Sequence, residues 1–513
     1  MINQSALRRL WSDWNIVLLL SGLKLVIHLV TNILGGYGIF RDELYYIACS
    51  ENLAAGFVDQ PPLSIFILAV NRLIFGDSIF ALRLLPAVFG AATVFLAGAM
   101  SRELGGNRFA QGLACLAAIT APIYLAMNSI YSMNSFEILS WALASYIVIR
   151  LLKTESPRYW LSLGLVLGLG MLNKIGIAWF AFGIFFGFLL TPQRSWFKTK
   201  WPWISGVMIL LLFLPYIAWN VMNDFAALEF IRGATQKYSS QTPVSFLLGQ
   251  LLILNPFAIP IWLLGIIFLF RGAEKKYRVL AYAYLTALVI LIVNVHSKPE
   301  YLAPAYVVLF AAGSVSIEEL IRNRGWNWVR PVSIAALVIS LGLVPLVLPI
   351  LPVETYITYA ERLGFGPTTS EGHRMGKLPQ FYADMFGWED KANAVVKAYL
   401  SLSPEDQKKC AVFADNYGRC ASIDFFGKEN GLPRTIGGHN NYWLWGPRGH
   451  RGELVIILGG NLEDKKEIFE SVVAADSVHS EYCMPYENDL KIYVCRNLKV
   501  SLDQMWPRVK HFE

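Results

Sequence analysis

Long apolar stretches broken by short polar segments recur along the first two thirds of the chain. Those near 14–34, 81–100, 109–127, 131–150, 159–173, 175–192, 202–220, 244–270, 279–295, 300–320 and 331–351 approach the roughly 20 residues that a helix needs to cross a bilayer. They predict eleven membrane-spanning helices. The segment PPLSIFILAV (61–70) is apolar but short, and predicts a helix lying in the membrane interface. After residue 351 charged residues become frequent and no run is long enough to span. There KANAVVKAYLSLS (391–403) has amphipathic helical spacing, while AVFAD (411–415), ELVIILG (453–459) and KIYVC (491–495) read as buried strands. The fold class expected is a polytopic α-helical membrane domain over 1–351, followed by a soluble α/β domain over 352–513.

Composition agrees with this pattern. Of 513 residues, 55% are hydrophobic and 16% charged, against about a quarter charged in soluble chains. The net charge of +7 does not point to nucleic acid, because the basic residues fall in short clusters between apolar stretches. These are Arg8/Arg9, Arg102/Arg108, Arg150/Lys153/Arg158, Arg194/Lys198/Lys200, Arg271/Lys275/Lys276/Arg278 and Arg322/Arg324/Arg330. Clusters of this kind mark cytoplasmic loops. Placing all of them inside puts the N-terminus in the cytoplasm, with 35–80 as the first outer loop and the C-terminal domain outside. The run 14–34 is too long for a signal-peptide core, and no small-residue cleavage site follows it.

That topology gathers polar residues on one side: Arg41, Asp42 and Glu43, then Asp59, Glu137, Lys174, Arg232, Lys237, His296 and Lys298. Charges at membrane depth are costly and tend to mark function. A set on one face suggests a site at the outer interface rather than a path through the membrane.

The first outer loop, RDELYYIACSENLAAGFVDQPPLS, resembles that of the GT-C fold membrane glycosyltransferases, which include protein O-mannosyltransferases and lipid A aminoarabinose transferases. The resemblance continues in order through FALRLLPAVFGAAT (80–93), NSFEILSW (134–141), ALEFIRGA (227–234) and HSKPEYLAPAY (296–306), and covers roughly 10–320. It implies a multi-pass enzyme of the bacterial inner membrane that transfers a sugar from a polyprenyl-phosphate donor, with inversion, to a lipid, glycan or protein acceptor outside the cytoplasm. Such a displacement needs a base for the acceptor hydroxyl and cations or hydrogen-bond donors for the leaving phosphate. By resemblance Asp42 is the expected base, the alternative being a helix cap. Glu43 is expected to orient Asp42 or hold the sugar, or else to be a solvated surface acid. Arg232, Lys298, Tyr301 and Lys174 are the expected phosphate contacts; the alternative for Lys298 is snorkelling to the interface, and Lys174 otherwise reads as an interfacial anchor.

One position departs from the family. The aminoarabinose transferases typically carry Lys before Pro-Pro, where this chain has Gln60 preceded by Asp59. Asp59, Gln60 and Glu137 are therefore expected to serve the sugar or acceptor. No cofactor is expected; a divalent metal on the acids is the lesser alternative, since no Asp-x-Asp spacing occurs. The competing function is a transporter or flippase of lipid-linked sugars, which often shows internal repeats, and none is visible.

The C-terminal motifs LPQFYADMFGW, ADNYG and GLPRTIGGHNNYWLWGP do not name an acceptor. The aromatic and amide side chains of 437–450 suit sugar recognition, with Tyr442 and Trp443 stacking on a glycan and His439 and Asn440 bonding its hydroxyls; the alternative is a loop packed as a lid onto the membrane domain, or tryptophan anchored at the interface. Outside the cytoplasm disulfides persist. Sequence proximity favours Cys410–Cys420 and Cys483–Cys495, whereas Cys49 and Cys115 read as buried thiols.

Overall fold

The structure, a computed structural model, describes residues 4–237, 240–272, 274–367 and 373–513. The side chains of 4–13, including the basic pair Arg8 and Arg9, and that of Lys237 lie outside the described residues. The chain folds into two compact units. One comprises Met1–Gly35, Phe75–Ile217 and Ser240–Leu351; the other comprises Gly36–Ile74, Ala218–Ser239 and Pro352–Glu513. The units thus differ from a single cut at residue 351, because residues 36–74 and 218–239 group with the C-terminal residues. Charge pairing is one physical reason. Glu51 of the loop pairs with Arg72 beside it and with Lys428 and Arg434 of the C-terminal region.

The first unit is helical. Among the described residues, seven helices of the chain are long and apolar enough to cross a membrane: Trp14–Leu34, Ile79–Glu103, Met133–Thr154, Trp201–Met222, Lys275–Val293, Pro299–Arg324 and Val329–Leu346. Two bent pairs raise the number to nine if each is one span. The eleven expected spans are not all full-length helices, and the breaks have local causes. The 109–127 stretch divides into Arg108–Thr120 and Pro122–Met127, where the proline lacks the N–H that would continue the ladder. The 244–270 stretch bends by 96° between Pro243–Ile253 and Pro256–Arg271, next to Asn255 at φ +74°. Arg158–Asn173 has only 16 residues.

Glycines set the tightest packing. A Cβ on Gly313 would stand 1.7 Å from the carbonyl oxygen of Ile261, and one on Gly265 would stand 2.2 Å from that of Leu309. The helices Ile259–Arg271 and Tyr306–Arg324 therefore meet backbone to backbone. In lipid, where burying apolar surface between helices gains little, such close approach supplies the packing energy.

The second unit contains a four-stranded sheet, β1 (Cys410–Ala414), β2 (Leu454–Leu458), β3 (Phe469–Val478) and β4 (Leu490–Leu498), in the order β1-β2-β4-β3. β1 and β2 are parallel, and β4 runs antiparallel to both β2 and β3. β1, β2 and β4 coincide with the segments that read as strands. β3 was not expected: its burial pattern is mostly exposed, so it lacks the apolar run that marked the others. Trp388–Leu400 is the helix expected near 391–403. The proposed disulfides are absent. All six cysteines are buried free thiols, with Cys410 on β1, Cys420 on the helix Tyr417–Phe426 and Cys495 on β4. Cys410, Cys420 and Cys483 point their sulfurs at the backbone carbonyls of Ala411, Ala414 and Ser480 instead.

Candidate active site

The second unit carries an acidic cluster on the first loop. The helix Arg41–Ser50 begins with three charged residues whose surroundings separate them. Glu43 is 1% exposed, and its Oε2 accepts the Phe40 N–H at 2.8 Å, satisfying a donor at the helix start. Asp42, one residue earlier, keeps 38% of its side chain exposed. Its Oδ1 accepts from the Tyr417 hydroxyl at 2.8 Å and from Arg41 Nε at 3.4 Å. The Arg41 guanidinium also reaches the Tyr486 hydroxyl (3.1 Å) and Asp384 Oδ2 (3.6 Å), and lies 5.5 Å from the centre of the Tyr417 ring. Gly418 makes room for it, since a Cβ there would sit 2.7 Å from Arg41 Cγ.

Asp59 joins this cluster through a second set of bonds. Tyr45 donates its hydroxyl to Asp59 Oδ1 at 3.0 Å, and Asn441 Nδ2 lies 3.4 Å from the same oxygen. Asn441 also donates to the Tyr45 hydroxyl, and its Oδ1 accepts the Val58 N–H at 3.2 Å. The rings of Tyr45 and Tyr417 pack at 4.6 Å between centres, linking the surroundings of the two acids. Loss of hydration pushes the Asp59 carboxyl up to about 7, with the negative charge of Asp42 adding in the same direction; the hydrogen bonds from Tyr45 and Asn441 oppose this without cancelling it. Both residues are half-buried, and Asp59 is the one whose surroundings hold its proton more tightly than usual. The neighbouring Gln60 is buried, and its amide nitrogen and oxygen have no hydrogen-bond partner among the described residues. A buried amide left unpaired is costly, so Gln60 is a candidate to bond a polar ligand or a water. Arg232 lies exposed on the helix Ala226–Lys237 of the same unit.

The first unit brings three other candidate residues together. Lys174 Nζ donates to Glu137 Oε2 at 2.7 Å and to Asn134 Oδ1 at 2.8 Å. It stands 5.1 Å from the centre of the Tyr301 ring. Gly176 packs against the other oxygen of Glu137, which a Cβ there would meet at 2.6 Å. Lys174 is thus paired with an acid, which lowers its value as a bare phosphate anchor. Lys298 precedes the short helix Pro299–Ala305 that carries Tyr301.

The C-terminal segment 437–450 does not offer the open surface expected of it. His439, Asn440 and Tyr442 are all buried. The His439 ring bonds through Nε2 to the Glu513 carbonyl (3.0 Å), Asn440 Oδ1 accepts the Glu513 N–H (3.2 Å), and Tyr442 donates to Asp424 Oδ2 (2.9 Å). Trp443 Nε1 donates to the Trp506 carbonyl, and Trp506 returns the same bond. These side chains bond within the second unit. Sequence reading missed Arg41, Tyr45, Asp384, Tyr417 and Asn441 as partners of the acids. Asp384, Tyr417 and Asn441 nevertheless fall inside the three distinctive C-terminal motifs. Among the described residues no three His, Cys, Asp or Glu side chains gather as a metal-binding group.

Comparison with known proteins bears on the fold. The family profile described as dolichyl-phosphate-mannose-protein mannosyltransferase matches residues 59–219. YycA of Bacillus subtilis (strain 168), provisionally named a mannosyltransferase, is 25% identical over 223 residues, 40% of this chain and 32% of that protein. The lipid A galacturonosyltransferase RgtD of Rhizobium johnstonii is 26% identical over 187 residues, 36% of this chain and 39% of that protein. The chain thus matches well under half the length of either relative. Two crystal structures of ArnT from Cupriavidus metallidurans, one apo and one bound to undecaprenyl phosphate, superpose with a TM-score of 0.63 at 13% and 14% identity. The superpositions cover 93% and 94% of this chain and 97% and 98% of ArnT. From loop motifs to whole-chain superposition, the fold is that of the GT-C membrane glycosyltransferases.

Proposed function

We propose that this protein is an inverting glycosyltransferase that takes a sugar from a polyprenyl-phosphate donor and passes it to an envelope acceptor on the outer face of the bacterial inner membrane. The observation that carries this reading is Asp42: a part-exposed carboxylate fixed at a helix start, in the same cluster as a half-buried second acid with a raised pKa and a buried unpaired amide. The ArnT structure of the same fold that holds undecaprenyl phosphate supports the donor class. RgtD, named for its action on lipid A, supports an envelope acceptor.

In the step proposed, an acceptor hydroxyl oxygen forms a bond to the anomeric carbon as the bond from that carbon to the phosphate oxygen breaks. The phosphate leaves with the bonding electron pair, and Asp42 takes the acceptor proton. Lys298, Tyr301 and Arg232 are assigned to the charge that develops on the phosphate, with Lys174 contributing there only as part of its pair with Glu137. Asp59, Gln60 and Glu137 are assigned to the sugar or acceptor, and Glu43 to holding the helix start that presents Asp42.

Turnover is the test. Purified wild type and Asp42→Asn are each incubated with envelope lipids, and free polyprenyl phosphate is measured by mass spectrometry. Release by the wild type, reduced about 100-fold or more in the variant, is the expected result. Equal release by both removes Asp42 as the base. Absence of release by either, with labelled lipid-linked sugar crossing a vesicle, favours a flippase.

A further inference from the structure

We infer that Tyr417 is a positioning residue for Asp42, which makes the C-terminal region a working part of the reaction centre rather than an acceptor-binding appendage. This rests on the assignment of Asp42 as the base.

The geometry is specific to one oxygen. Both hydrogen bonds that Asp42 accepts go to Oδ1, from Tyr417 and from Arg41. Among the described residues Oδ2 accepts none, so one oxygen is held and the other is left to take a proton. Of the two donors the Tyr417 hydroxyl is the closer, at 2.8 Å against 3.4 Å. Arg41 divides its guanidinium among Asp384, Tyr486 and Asp42. An exposed aspartate without such a clamp would sample several rotamers, and only some would face a bound hydroxyl.

Tyr417 is itself well held. It is the first residue of the helix Tyr417–Phe426, which Asn416 caps by accepting the Arg419 N–H at 2.9 Å. Asn416 in turn donates to Glu487 at 2.8 Å, and Glu487 takes Arg419 Nε at 2.9 Å. The Tyr417 ring packs against Tyr45 at 4.6 Å and His439 at 4.8 Å, and His439 packs on His511 at 4.4 Å. The phenol oxygen is thus fixed by packing on several sides, as a group that positions a catalytic side chain must be. The same contacts give a use to the segment ADNYG: Asn416 caps, Tyr417 holds Asp42, and Gly418 clears space for Arg41.

Tyr417→Phe removes the hydroxyl and keeps the ring. The expected result is a kcat lowered about tenfold, the worth of one hydrogen bond to a charged group, with KM changed by less than about twofold. In an Asp42→Glu background the carboxylate is already displaced, and the same substitution should cost less than about twofold. Full kcat in Tyr417→Phe, or an equal loss in both backgrounds, overturns the inference. If Asp42→Asn is inactive while Tyr417→Phe is fully active, the positioning role alone fails. If Asp42→Asn keeps full activity, the assignment of the base fails and the positioning role fails with it.

Discussion

Asp42 and Glu43 adjoin in sequence and meet opposite surroundings. Glu43 turns inward to the Phe40 N–H, while Asp42 stays part-exposed under the Tyr417 hydroxyl. Sequence alone marked both as candidates, because an acidic pair at a helix start reads the same whichever member is buried. Asp59 allows a test at this scale. Its folded carboxyl is raised to about 7 by lost hydration, whereas the unfolded group titrates near 4. The folded state therefore holds the proton more tightly, and Asp59 costs stability increasingly as pH rises from about 4 to about 7. Asp59→Asn removes that cost and keeps an acceptor for Tyr45. Thermal unfolding of the purified protein should show the variant more stable at pH 8, by on the order of 4 kcal/mol, and nearly equal to wild type near pH 4. A variant less stable by the same amount at both values would contradict the origin given for the shift. Tyr417 and Asn441 show why such partners escape sequence reading: nothing in local spacing ties them to acids some 375 and 382 residues away.

The elements were legible wherever period and length agreed. Long apolar stretches became long helices, and three apolar runs became β1, β2 and β4. Two features were not legible. Stretches interrupted by proline or by Asn255 counted as single spans, although the missing N–H and a positive φ break them. β3 alternates too little and is too exposed to show a buried face. Glycines such as Gly313 could be seen but not interpreted, because their role depends on which helix they meet. Gly313→Leu tests the backbone contact with Ile261. Overpacking there should lower the melting temperature, with a cost of about 1–3 kcal/mol or more. Gly206, which has nothing within 4 Å of an added Cβ, serves as the control. Equal effects of Gly206→Leu and Gly313→Leu would argue against close helix contact as the source of packing.

For the whole molecule, the charge clusters supplied an orientation that the fold comparison does not address. If the basic clusters face the cytoplasm, alkaline phosphatase fused after residue 513 should be active in cells, and a fluorescent protein that matures only in the cytoplasm should be dark there. The opposite pattern would place Asp42 on the inner face, where nucleotide sugars rather than lipid-linked ones are at hand. Sequence resemblance anticipated the overall fold because motif order along the first 320 residues follows the chain through the membrane. It did not anticipate that the first loop groups with the C-terminal residues, since that grouping is made by side chains such as Glu51, Arg434, Asp59 and Asn441 that pair only in three dimensions. The central claim is that Asp42 drives sugar transfer from a polyprenyl-phosphate donor. Its most direct test is a mass balance on purified protein, counting polyprenyl phosphate freed and sugar gained by the acceptor in the same sample, for wild type and Asp42→Asn. One phosphate freed per sugar transferred is expected from the wild type, with both products reduced about 100-fold or more in the variant. Transfer by the variant at the wild-type rate, or sugar gained without release of polyprenyl phosphate, would contradict it.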